Sequence, residues 1–204
     1  MRTRNWLLVA AITFSLLVAG VVMAGKSTTE TPQLPSDQNE ACLCNKNANL
    51  VIPGMGTFRA QLHGSINVGA TNLAVGVDGR QFVPLNVKGY TERGWVDGLG
   101  DTHVWLDKSR PTTGSFLREI TPGTGFPAVQ EIHMHFMMTT DGLPGRMFRT
   151  LEPVVLRSEE VNSFPPPKGT SYHTVGDVIF EDVDEPGVEA ARIVDVSVKV
   201  AGAA

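Results

Sequence analysis

The sequence predicts an all-β fold, an antiparallel sandwich of short strands with a β-barrel as the alternative, placed behind an N-terminal export segment. Three observations predict it. Apolar and polar residues alternate with period two in segment after segment, turn dipeptides separate those segments at short spacing, and no helix-length stretch of the domain repeats with helical period.

The chain opens with the basic pentapeptide Met1-Arg2-Thr3-Arg4-Asn5 and continues with an uncharged apolar run from Trp6 to Ala24. A positive start, an apolar stretch and small residues at its end form a signal peptide, and Val22-Met23-Ala24 places the expected cut before Gly25. An uncleaved membrane anchor over the same residues is the alternative, since the run is long enough to span a bilayer. The expected location is therefore periplasmic or extracellular, with the membrane touched only through this segment. From Gly25 to Asn49 the composition turns to Ser, Thr, Pro, Gln, Asn and Glu, which reads as a flexible polar spacer carrying Cys42 and Cys44. The all-β domain is expected over residues 50–204.

Within that domain, Thr57 to Val68 alternates almost strictly, with Phe58, Ala60, Leu62, Ile66 and Val68 on the face expected to be core and Arg59, Gln61, His63 and Asn67 on the wet face. Further strand-like segments run from Leu73 to Val77, Gln81 to Val87, His103 to Leu106, Ser115 to Ile120, Val129 to Thr139, Met147 to Leu156, Val178 to Val183 and Arg192 to Val200. In the last of these Val194, Val196, Val198 and Val200 are expected on one face. Asp78-Gly79 is the strongest hairpin signal, and Asp97-Gly98, Asp141-Gly142 and Glu185-Pro186-Gly187 mark other turns. The segments from Leu99 to Asp107 and from Glu152 to Pro166 resemble an uncharacterised family of exported all-β domains. That resemblance implies the fold and an exported setting, and it carries no catalytic residue.

Charge and cysteine content exclude several classes of function. With 17 Lys and Arg against 21 Asp and Glu, the net charge is −4, and removing Arg2 and Arg4 with the leader makes it more negative. Nucleic acid, which requires a basic face, is not an expected partner. Two cysteines two residues apart cannot staple distant strands, so stability must come from a core. Their chemistry is local: a small or intermolecular disulfide, a redox pair or a soft-metal clip.

The best candidate site is Glu131-Ile132-His133-Met134-His135. On a strand, Glu131, His133 and His135 share one face, and two imidazoles and a carboxylate at that spacing can reach one divalent ion, zinc or copper, with Met137 as a further copper ligand and His103 or His173 as outlying partners. The same pattern is also that of an ordinary strand with one polar face. Asp97, Asp101 and Asp107, and separately Glu181, Asp182, Asp184 and Glu185, form acidic turns without calcium-loop spacing. Neither Ser65 nor Ser115 lies in a nucleophile frame. Trp95, Trp105 and Tyr90 are candidates for a carbohydrate platform. The reading these features support is a noncatalytic exported binding or structural module, with a metal-dependent protein and a barrel carrying an apolar small molecule as alternatives.

Overall fold

The computed structural model describes residues 32–203, so the export segment expected at 1–24 lies outside the described residues. Thirteen antiparallel strands form one sheet and no helix occurs among the described residues. In chain order they are β1 Asn39–Ile52, β2 Gly56–Ala70, β3 Ala74–Val75, β4 Gln81–Val96, β5 Gly100–Leu106, β6 Phe116–Glu119, β7 Ala128–Met134, β8 Phe136–Thr140, β9 Phe148–Thr150, β10 Val154–Val161, β11 Ser171–Thr174, β12 Val178–Asp182 and β13 Glu185–Ala203.

The ladders return on themselves. From β4 one path runs through β5, β8, β9 and β12 to β13, and a second runs through β6, β7, β10 and β11 to β13. Both are closed by β13 pairing with β1, β1 with β2, and β2 with β4. The four long strands are thus shared by two levels of a barrel-like ring, and the inner faces of the ring strands supply a single core, with β3 outside it.

Strand β2 bears out the alternation read from sequence, with Ala60, Leu62, Ile66 and Val68 all buried. Two long strands change face partway along. In β4, Gln81, Val83 and Leu85 point inward before an irregularity at residues 87–89, and Tyr90, Glu92 and Val96 point inward after it. In β13, Ala191 and Ile193 are buried, Asp195 adopts φ 57°, and Val196, Val198 and Val200 are buried beyond it. Val194 therefore leaves the core face that the alternation assigned to it, because one extra residue in a strand inverts every side chain that follows.

The N-terminal boundary also differs from expectation. The stretch assigned to the spacer up to Asn49 contains most of β1, whose inward residues include Cys44, Lys46 and Ala48, followed by Leu50 and Ile52. Small residues and a lysine on the inner face gave that strand no apolar signature. Upstream of it, Leu34 is buried and donates its N–H to Gln81 Oε1 at 3.0 Å, while Gln81 Nε2 donates to the Pro32 carbonyl at 3.0 Å. Elsewhere, Pro153 separates β9 from β10 where one strand was expected, since proline cannot donate to a ladder.

A buried carboxylate organises the loop after β6. Glu119 accepts backbone N–H bonds from Gln81 at 2.6 Å, Gly123 at 3.0 Å and Gly125 at 3.0 Å. Burial pushes its carboxyl up, but these donors outweigh that and hold it below the usual carboxylate range.

Candidate functional site

The Glu131, His133 and His135 side chains lie on the outer face of β7 and at the residue between β7 and β8, with their even-numbered neighbours in the core. His133 Nε2 is 2.8 Å from Glu131 Oε1, and Arg157 of β10, the register partner of Glu131, approaches Glu131 Oε2 at 3.3 Å. The His135 ring turns elsewhere, with Nδ1 3.0 Å from Thr150 Oγ1 on β9. Burial, and then the Arg110 guanidinium, hold the His135 imidazole below its ordinary pKa. The fold thus joins Glu131 with His133 and Arg157 and gives His135 a separate setting. No three His, Cys, Asp or Glu side chains among the described residues converge at metal-binding distance. His103 lies 3.1 Å from Thr91 Oγ1 and packs on Trp105 with ring centroids 4.7 Å apart.

Acidic turns are likewise engaged with arginine. Asp107 accepts from Arg110 Nε at 2.9 Å, Glu181 from Arg149 and Asp182 from Arg146 at 2.6 Å.

Sequence reasoning missed an ionisable cluster inside the ring. Cys44, Gly64 and Glu92 lie opposite one another across β1, β2 and β4, and Lys46, Leu62 and Gly94 form the next inward row. Gly64 and Gly94 are required by close approach: a Cβ on Gly64 would collide with the Thr91 carbonyl oxygen, and one on Gly94 with that of Gln61. Between these bare positions Lys46 Nζ meets Glu92 Oε2 at 3.4 Å, with side-chain exposures of 3% and 0%. Lys46 Nζ also stands 5.7 Å above the Phe136 ring, which stacks on Tyr90 at 4.5 Å. Burial, and the Glu92 carboxylate beside it, push the Tyr90 hydroxyl well up. Glycines at inward positions of otherwise alternating strands were the signal that could have located this cluster.

A cavity of about 20 Å³ opens beside Tyr90 between Ile66, Ile132, Leu156 and Tyr172, whose hydroxyl donates to Gln130 Oε1. That volume accepts one water-sized body, as expected of an eight-stranded ring whose side chains fill it. Charge pair and cavity together therefore read as core.

The outer surface is different. The β3–β4 hairpin, closed by Gly76 N–H to Arg80 O at 2.8 Å, and β6 enclose an open groove of about 520 Å³. Phe82, Pro84 and Phe116 form its apolar floor, with Val77 fully exposed at the hairpin tip. Arg80 and Arg118 stand in its wall, the Arg118 guanidinium 5.5 Å from the Phe116 ring centroid and Arg80 Nε 3.7 Å from Asp78 Oδ2. In this groove β4 pairs with β6 only over Phe82–Pro84, which sets Phe82 opposite Arg118 and Pro84 opposite Phe116 on an outer face.

No protein-family model matches the chain, and no curated protein does. Among solved structures, the structure of DynF from the dynemicin biosynthesis pathway of Micromonospora chersina is similar, with a TM-score of 0.69 over 84% of this chain and 83% of that one at 19% sequence identity. That similarity carries the all-β fold.

Proposed function

We propose that this protein is an exported, noncatalytic binding module that holds an apolar, negatively charged small molecule in the groove between the β3–β4 hairpin and β6. The observation that supports it most directly is the groove itself. Its volume of about 520 Å³ falls in the range of small-molecule sites, its floor is aromatic, and its polar groups include two guanidinium cations in a chain of net negative charge. Arg118 can stack on the ligand body and pair with its anion, a dual role lysine does not match. The all-β fold shared with DynF suits a ligand-binding β module, and the basic start followed by an apolar run supports export.

The test is a titration of the purified protein with 1-anilinonaphthalene-8-sulfonate, a flat apolar anion, followed by fluorescence and checked by near-ultraviolet circular dichroism for an intact core. Arg118→Glu is expected to weaken binding by about tenfold or more, the effect of losing one charge-assisted contact. Raising the salt from low to physiological levels is expected to weaken it less. Equal affinity in wild type and in an Arg80→Glu, Arg118→Glu double variant would overturn the proposal.

A further inference from the structure

A second outer surface, away from this groove, carries an arrangement of its own. Register pairing aligns Asn47 of β1, Gln61 of β2, Trp95 of β4 and Asp101 of β5 in a single row across four adjacent strands. At the spacing of neighbouring strands the row is roughly 14 Å long. Trp95 is 58% exposed, and Asn47, Gln61 and Asp101 are also exposed. The row borders an open, shallow depression of about 580 Å³, with His63 beside it. Tyr90 lies in the core and Trp105 packs on His103, so of the three aromatic residues suggested by sequence Trp95 alone presents its ring here.

An isolated exposed tryptophan on a soluble domain needs no explanation. The flanking groups distinguish this one. Asn47 and Gln61 each carry a planar amide that both donates and accepts, Asp101 accepts twice, and no side-chain hydrogen bond engages any of the three among the described residues. A flat apolar ring between unengaged amides and a carboxylate matches the two-sided chemistry of a neutral sugar, whose C–H face packs on an aromatic ring while its hydroxyls donate and accept at the edge. The Asp101 carboxylate disfavours an anionic ligand.

We infer that the Asn47, Gln61, Trp95 and Asp101 row is a binding site for a neutral saccharide chain lying across strands β1, β2, β4 and β5. The purified protein is titrated with cellohexaose, chitohexaose and mannohexaose, with intrinsic fluorescence and the indole N–H resonances as readouts. At least one of these oligosaccharides is expected to perturb Trp95 with a dissociation constant below about 10 mM. Trp95→Ala should weaken that binding by about tenfold or more and Trp95→Phe by less. Asn47→Ala and Asp101→Ala should each weaken it a few-fold, whereas Arg118→Glu should leave it unchanged. All five substitutions lie at exposed positions, so each variant is expected to fold. The inference is overturned if none of the three perturbs Trp95, if binding survives Trp95→Ala, or if a sulfated saccharide binds more tightly than the neutral ones.

Discussion

Two ion-pair clusters lie on opposite faces of the same sheet, and the contrast between them separates what the core requires from what the surface tolerates. Lys46 and Glu92 face inward, are almost wholly shielded from solvent, and lie where Gly64 and Gly94 let neighbouring strand backbones approach closely. Glu131, His133 and Arg157 face outward, and each keeps part of its side chain in water. In the interior, two charges lose their hydration and have mainly each other, so losing one strands the other. On the outer face, water replaces a lost partner at small cost. Chemically similar pairs therefore carry very different consequences, and four measurements can break or sharpen that difference.

The largest effect is expected from placing a charge where the interior offers no partner. Val68→Asp should abolish cooperative folding, because an unpaired buried charge costs several kcal/mol against a total stability of about 5 to 15 kcal/mol. Asn67→Asp, one residue away on the exposed face, should leave thermal unfolding nearly unchanged. Equal effects of the two would show that inner and outer faces are not as distinct as β2 makes them.

Next in size is the pair itself. Glu92→Ala should destabilise the fold by about 3 to 5 kcal/mol in denaturant titration, whereas Lys46→Met combined with Glu92→Leu should be neutral or stabilising, since replacing both charges by apolar groups removes the desolvation cost. A double variant as unstable as Glu92→Ala would mean that the pair contributes more than mutual neutralisation.

Glu119 provides an intermediate case, a buried carboxylate satisfied by backbone donors rather than by a cation. Glu119→Gln is expected to cost about 1 to 3 kcal/mol, the range for losing hydrogen bonds to a charged acceptor. Its carboxyl is held below the usual range in the folded state, as are those of Glu181, through the Gly187 N–H, and Asp182, through the Asp184 N–H. The unfolded chain then binds more protons, so this stability is fully present above the ordinary carboxylate pKa and is lost as pH falls through and below it. His135, depressed from its ordinary value near 6.5, acts in the same direction at higher pH. Melting temperature measured from pH 7 to pH 3 should fall in wild type, and the acidic part of that fall should be shallower in Glu119→Gln.

The smallest effect is expected outside. Glu131→Ala should change stability by no more than about 1 kcal/mol. With Arg157 on Glu131 and Thr150 on His135, added zinc or copper should shift the wild-type melting temperature little. A clear shift that disappears in a His133→Ala, His135→Ala variant would place a metal site on this face.

The parts of the fold that sequence made legible are those governed by one physical rule at a time. The β2 strand alternates without interruption, so its buried face follows from period two alone, and Asp78-Gly79 marks a hairpin because its turn favours those residues. Strands β4 and β13 escaped the same reasoning because an inserted residue reverses their faces, and a bulge has no composition of its own unless a glycine marks it. Strand β1 has the composition of a spacer because its inward positions hold Cys44, Lys46 and Ala48, whose place in the core follows from pairing with β2 and β13 rather than from an apolar pattern of their own. Similar logic applies to the sites. The common face of Glu131 and His133 was visible in the spacing, while the direction of the His135 ring, the pairing of Phe82 with Arg118 and the row through Trp95 depend on which strands become neighbours.

Closure of the ring by its first and last strands also bears on how the chain acquires its fold. Partners of β1, such as Cys42 with Ala203 and Val51 with Arg192, come from the two ends of the domain. As the polypeptide is synthesised from its N-terminus, β1 and β2 can form a hairpin early. The other edge of β1 has no native partner until nearly all of the domain has been made. Contacts so distant along the chain slow folding, and an open strand edge held through that interval is prone to association with other chains. The same seam that leaves no free edge on β1 in the finished ring thus waits for the final strand to be made, and the nascent chain is exposed to such association while that seam is open.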